Sequence, residues 1–133
     1  MIFVDSGAFL GRFAHNDQHH IEAGKRWAKI EASRLACFTS NYILDETLTL
    51  LARRTSYPFA VERGRSLYSS GEVNLVRPTP EDEFAALDWF QKFADQRVSF
   101  TDCVSFVLMK KAGIDTAFSF DHHFERAGFK LWA

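Results

Sequence analysis

Four carboxylates set the chemical question for this chain. Asp5 follows the apolar run Met1-Ile2-Phe3-Val4, and Asp121 follows Ala117-Phe118-Ser119-Phe120. Glu46, with Asp45 beside it, lies a few residues after Ser40-Asn41, and Asp102 lies three residues after Ser99. A short apolar run bounded by a turn signal reads as a buried strand of a parallel sheet. Ser or Asn ahead of an apolar-periodic stretch reads as a helix N-cap. Asp5 and Asp121 are therefore placed at strand C-termini, and Glu46 and Asp102 near helix N-termini. In a parallel α/β sheet these positions share one edge. Four like charges on one edge raise each other's pKa unless a counter-charge is present. A cation is the simplest relief, and an all-oxygen donor set selects Mg²⁺ or Mn²⁺ over zinc. Such a centre suits phosphodiester hydrolysis, because it activates a water and stabilises the leaving oxygen.

Each acid also has a structural reading. Asp5 could cap the following helix, Asp121 could be an N-cap, and Glu46 could be a solvated helix residue. Asp102 at Ser99 plus three has capping-box spacing, although Asp is not the preferred residue there.

The elements that must position these acids alternate between strand and helix. Strands are read at Met1–Val4, Leu35–Thr39, Val73–Val76, Asp115–Phe120 and Phe129–Trp132. Helices are read at Ala8–Phe13, His19–Ser33 with Asp17 as its N-cap, and about Asn41 to Arg54. Others run from Pro58 to near Ser70, from Thr79 or Pro80 through Phe93, and from Ser99 to Ala112. Gly113 is the C-cap of the last of these, and a short helix from Asp121 stops at Gly128. This order predicts a three-layer α/β/α sandwich around a mainly parallel sheet of four or five strands. A length of 133 residues fits a single domain over 1–133. With 47% hydrophobic residues, 14 of them Phe, the chain has the means to build a core.

Composition narrows the partners. A net charge of −1 gives no global basic field, so nucleic-acid binding must come from a local patch. Two cysteines without motif spacing make neither a disulfide framework nor a zinc site. No apolar run reaches transmembrane length and no signal peptide is visible, so a cytoplasmic location with no membrane role is expected. Among basic residues, Arg12, Arg53, Arg54, Lys110 and Lys111 could frame the acidic edge, and Arg12 is the best placed. His122 or His123, beside Asp121, could touch a substrate phosphate. Spacing of four between His15 and His19 could hold zinc, but no third ligand is suitably placed. Trp27, Tyr57, Phe59 and Trp89 are read mostly as core, with some available for a partner groove.

Four segments, in order, resemble the PIN-domain nucleases and in particular the VapC-type toxins. They are Phe3-Val4-Asp5-Ser6-Gly7-Ala8-Phe9, Asn41-Tyr42-Ile43-Leu44-Asp45-Glu46-Thr47, Val98-Ser99-Phe100-Thr101-Asp102-Cys103 and Ala117-Phe118-Ser119-Phe120-Asp121-His122-His123-Phe124. The resemblance covers essentially the whole chain and selects Glu46 over Asp45. It implies an Mg²⁺- or Mn²⁺-dependent endoribonuclease with Asp5, Glu46, Asp102 and Asp121 as catalytic and metal-holding residues. Ser6 is expected to support Asp5 by hydrogen bonding, and Arg12 and His122 to contact substrate. His122 and His123 stand where many relatives carry a second charged residue. The resemblance also implies a homodimer neutralised by a small antitoxin protein. A PIN nuclease of RNA maturation or decay without an antitoxin, and a non-catalytic PIN-fold binding module, are the alternatives.

Overall fold

A computed structural model describes all residues from Met1 to Ala133. Five strands are β1 (Ile2–Val4), β2 (Cys37–Ser40), β3 (Asn74–Val76), β4 (Thr116–Phe118) and β5 (Lys130–Leu131). They form one sheet in the order β3-β2-β1-β4-β5 with every pair parallel. Helices α1 (Ser6–Phe13) and α2 (His20–Ser33) connect β1 to β2; α3 (Asn41–Arg54) and α4 (Tyr57–Ser69) connect β2 to β3. Helices α5 (Pro80–Lys92) and α6 (Phe100–Ala112), with a 3₁₀ turn at Ala94–Gln96 between them, lead to β4, and α7 (His123–Arg126) precedes β5. Helices α1 to α4 pack among themselves, as do α5, α6 and α7, which gives the expected three layers.

The strand order reverses direction between β1 and β4. The chain grows from β1 outward to β3, then returns to build β4 and β5 on the other flank. That reversal opens a crevice at the carboxyl ends of β1 and β4, where open α/β sheets bind ligands. The strands flanking it are anchored by a large apolar core. Phe3, Phe9, Phe106, Phe118 and Phe124 are among its fully buried side chains. Cys37 and Cys103 are free and buried, as small hydrophobes.

Element starts differ from the sequence expectation where a side chain redirects the chain. Helix α1 begins at Ser6 rather than Ala8, because Asp5 itself is the N-cap and accepts the Ser6 N–H. Helix α2 has His19, not Asp17, at its N-cap; Asp17 instead accepts the His19 N–H at 2.8 Å and pairs with Arg54. Strand β4 stops at Phe118, short of Phe120, because the Ser119 hydroxyl turns to Asp5 and to the Asp121 N–H. Tyr57 is not core: it is 73% exposed at the start of α4, while Trp27 is buried.

Candidate metal centre and active site

Asp5 extends the β1–β4 ladder, its N–H bonded to the Phe118 carbonyl at 3.0 Å, and so sits at the crevice floor. Its carboxylate is 5% exposed. Oδ1 accepts the Ser6 N–H at 2.8 Å and Oδ2 accepts the Ser119 hydroxyl at 2.7 Å. Ser119 in turn accepts the Asp121 N–H at 3.0 Å, tying the two strand ends together. The strand end beneath is braced by the buried Thr39 hydroxyl, which donates to the Val4 carbonyl at 2.9 Å.

Asp102 stands in the first turn of α6, whose N-cap Ser99 accepts the Asp102 N–H. Its carboxylate does not accept the Ser99 N–H as a full capping box would require. Oδ2 meets the His123 Nδ1 at 2.9 Å, and the same nitrogen lies 3.1 Å from Asp121 Oδ2. Asp121 Oδ1 accepts the His123 N–H at 2.9 Å, which fixes the start of α7 and aims the imidazole inward. One donor atom each from Asp102, Asp121 and His123 lie within 4.8 Å of one another, and these three form the cluster best disposed to hold a cation.

Glu46 lies on α3, half-buried, while its neighbour Asp45 is exposed. Glu46 and Asp5 stand outside the tight three-member cluster but within its field. Burial first, then Asp102, raises the Asp5 carboxyl to about 7, against the lowering effect of its two hydrogen bonds. Burial, then Asp102 and Asp121, raises Glu46, with Ser6 pulling it back. Asp102 is raised by burial and by Asp121, opposed by His123. Three carboxyls held above their ordinary range describe a site short of positive charge. The carboxylate oxygens suit a hard divalent ion and the His123 nitrogen a softer one, so the cluster fits a divalent cation without selecting among them.

The structure rearranges the supporting roles. Ser6 contributes its backbone N–H to Asp5; the hydroxyl that supports Asp5 belongs to Ser119. His122 points outward, 78% exposed, and meets Glu125 Oε1 at 2.8 Å, so it is His123 that reaches the acids. Arg12 is held by Glu31 and Glu72 and lies over the Trp27 ring at 4.6 Å, and it does not line the cleft. Arg54 pairs with Asp17, Lys111 with Asp82, Lys110 lies over Phe129, and Arg53 faces a groove between α3 and α4. The cation that does line the cleft is Arg126, which makes no ion pair. The cleft, about 360 Å³, is walled by Asp5, Ser6, Gly7, Phe120, Asp121, His122, His123 and Arg126. His15 lies against His20 with the rings tilted by 44°, and His19 stacks on Phe120, so neither His15 nor His19 is part of the metal-holding cluster. The signal that could have found Ser119 and His123 is their place two residues either side of Asp121, where a side chain returns to the acid's own loop.

A carboxylate cluster at the switch point of a β3-β2-β1-β4-β5 parallel sheet marks an α/β protein with a candidate metal site at its ligand-binding edge, and comparison assigns the class. The PIN-domain family matches residues 2–130, and the chain belongs to that family. The 23S rRNA-specific endonuclease VapC20 of Mycobacterium tuberculosis is 35% identical over 129 residues, covering 97% of this chain and 95% of that protein. A VapC ribonuclease of Archaeoglobus fulgidus is 30% identical, covering 87% of this chain and 78% of that protein. The crystal structure of M. tuberculosis VapC20, described as a sarcin–ricin loop cleaving toxin, superposes with a TM-score of 0.88. It is 34% identical and covers 97% of this chain and 96% of that one. The parallel five-stranded fold is thus that of the VapC-type PIN proteins.

Proposed function

We propose that this protein is an endoribonuclease, the toxin of a toxin–antitoxin pair, acting in the cytoplasm as a single PIN domain. It hydrolyses RNA phosphodiester bonds with Mg²⁺ or Mn²⁺ held by Asp5, Glu46, Asp102 and Asp121. The observation that supports this reading is the meeting of Asp5, Asp102 and Asp121, linked through Ser119 and His123, with Glu46 in their field, where burial and mutual repulsion raise the carboxyls. A bound divalent ion supplies the activated water and the charge that offsets the developing phosphate oxyanion. The chain's own residues do the positioning. Ser119 and the Ser6 N–H fix both oxygens of Asp5, and His123 holds Asp102 and Asp121 together. Arg126 on the cleft wall is the local positive group for a substrate phosphate.

Near full-length similarity to a 23S rRNA-specific endonuclease supports a structured ribosomal RNA loop as the substrate. Two apolar faces left open to water support partner chains, an antitoxin and a second copy of this one. Tyr57, Val61 and Tyr68 line one, and Phe84, Leu87 and Phe90 the other. No helix is long and apolar enough to cross a membrane. The test is cleavage of ribosomes and of total RNA in Mg²⁺ or Mn²⁺, with end mapping. Discrete cuts that EDTA abolishes are expected; undiminished cutting in EDTA would remove the metal mechanism.

A further inference from the structure

Phe120 forms one side of the acidic cleft, and two groups pack on its ring. The His19 imidazole lies flat on one face, ring centroids 4.1 Å apart with 1° between the planes. The Arg26 guanidinium lies over the ring as well, with Cζ 4.9 Å from its centroid. Arg26 is fixed in turn by Glu22 at 3.0 Å and by the Trp132 carbonyl at 3.3 Å. The result is a braced cluster of Arg26, Phe120 and His19 at the side of the cleft, in which the imidazole is only half-buried.

The imidazole has no other duty. His19 occupies the N-cap of α2, yet its ring makes no capping hydrogen bond, where Ser, Thr, Asn or Asp would stabilise the helix. Its backbone N–H is satisfied by Asp17. The α2 N-terminus is drawn to this place by Gly11, where a Cβ would meet the Ala23 Cβ at 2.8 Å and the His19 carbonyl oxygen at 3.4 Å. His20 Nδ1 also bonds the Gly11 carbonyl at 2.7 Å. Local structure therefore gives up a cap position and fixes a glycine while presenting a flat ring against Phe120 of the cleft wall.

We infer that the outer face of His19 is a nucleobase-stacking subsite, taking an unstacked base next to the scissile phosphate. Single-stranded and loop RNA is held in this way, by stacking splayed bases on aromatic faces, because every base has a π-face while few present unpaired edges. The inference rests on the ribonuclease reading of the cleft and adds to it the position of the neighbouring nucleotide.

Two measurements test it. Steady-state cleavage of an RNA stem-loop is compared for wild type, His19→Ala and His19→Phe. Stacking predicts a KM raised about tenfold in His19→Ala with kcat within about twofold, and a KM within about twofold of wild type in His19→Phe. Fluorescence of a 2-aminopurine oligoribonucleotide is then titrated with Asp102→Asn protein in Mg²⁺, where quenching on binding is expected. Adding His19→Ala to that protein should remove the quenching. An unchanged KM in His19→Ala, a His19→Phe protein as weak as His19→Ala, or equal quenching with and without His19 overturns the inference. Quenching that depends on His19 in a protein whose wild type cuts no RNA would leave the stacking surface and sink the ribonuclease reading.

Discussion

Helix α5 opens on Thr79-Pro80-Glu81-Asp82 and helix α6 on Ser99-Phe100-Thr101-Asp102. Both start with a hydroxyl N-cap that accepts the N–H of an Asp three residues on, and both acids are 7% exposed. Asp82 completes the box by accepting the Thr79 N–H at 2.9 Å and pairs with Lys111 at 3.1 Å. Its carboxyl is held below the usual range, first by the Thr79 N–H. Asp102 leaves the box half-made, turns to His123 and is held above the usual range by burial and Asp121. The same cap and the same surface exposure thus give opposite electrostatics. What differs is depth as well as company: burial is the largest influence on Asp102 but is outweighed at Asp82 by the Thr79 N–H, and α5 starts after the edge strand β3, whereas α6 starts beside the switch point where Asp5 and Asp121 arrive. A buried acid whose own helix satisfies it is structural; one whose helix leaves it unsatisfied is available for chemistry.

The largest expected effect separates the two acids by activity. Asp102→Asn or Asp5→Asn should lower RNA cleavage on the order of 10³-fold, since metal charge stabilisation is worth several kcal/mol and each 1.4 is tenfold. Asp82→Asn should leave kcat unchanged. Circular dichroism confirms folding in each case. Equal losses in Asp82→Asn and Asp102→Asn would erase the distinction.

Stability against pH should then run in opposite directions at the two kinds of site. Asp5 has a folded pKa of about 7, above its ordinary value of 3.8. Between those values the native state holds a proton that the unfolded chain has released, so metal-free stability falls as pH rises. Asp5→Asn removes this slope and should melt about 3 °C or more above wild type in EDTA at pH 8, because its amide can still accept from Ser6 and donate to Ser119. Asp82, with a depressed pKa, stabilises fully above the ordinary Asp value, and that contribution is lost as pH falls through the folded value. Melting curves of Asp5→Asn and Asp82→Asn relative to wild type, from pH 3 to pH 8, should therefore diverge at opposite ends.

A smaller effect probes how the available acid is held. Ser119→Ala removes the hydroxyl from Asp5 Oδ2 and the acceptor from the Asp121 N–H. Loss of a group that orients a metal ligand costs about 10- to 100-fold in affinity, so Mn²⁺ binding by calorimetry should weaken by that factor, and the groups left unpaired should lower metal-free stability by about 1–3 kcal/mol. Unaltered Mn²⁺ affinity would show that Asp5 needs no such support.

What could be read in advance follows the same division. The runs Ile2-Phe3-Val4 and Cys37-Phe38-Thr39 announced buried strands, and Ser40, Thr79 and Ser99 announced helix starts, because those signals are local. The acids were legible for the same reason, since their positions follow from element order. The full capping box lay unremarked at Thr79–Asp82 and half of one lay at Asp102; spacing alone does not say where a carboxylate turns. Glu46 was separated from Asp45 by resemblance, and the structure separates them by burial. Arg12 was misplaced because Glu31 and Glu72, which hold it, are 19 and 60 residues away. His122 was preferred to His123 because the direction of α7 depends on a backbone bond from His123 to Asp121 that composition does not reveal.

The smallest effect concerns the cation that completes the structural acid. Lys111 sits in the last turn of α6 and reaches Asp82 Oδ2 at 3.1 Å and Oδ1 at 3.3 Å, joining the end of one helix to the start of the other. Its side chain is 58% exposed while that of Asp82 is 9% exposed, so water screens the pair from one side only. Exposed pairs of this kind contribute about 0.2–1 kcal/mol. Lys111→Met keeps the aliphatic stem and the helix propensity, and the Thr79 N–H still satisfies Asp82. It should cost about 0.5 kcal/mol in denaturant unfolding at low salt, and the difference should shrink towards zero in 1 M NaCl. The cleavage rate should stay at the wild-type value, because Lys111 lies at the opposite end of α6 from Asp102. A cost well above 1 kcal/mol, or one insensitive to salt, would mean that Asp82 depends on its cation as Asp102 depends on His123, and that the contrast between the two helix starts is one of degree.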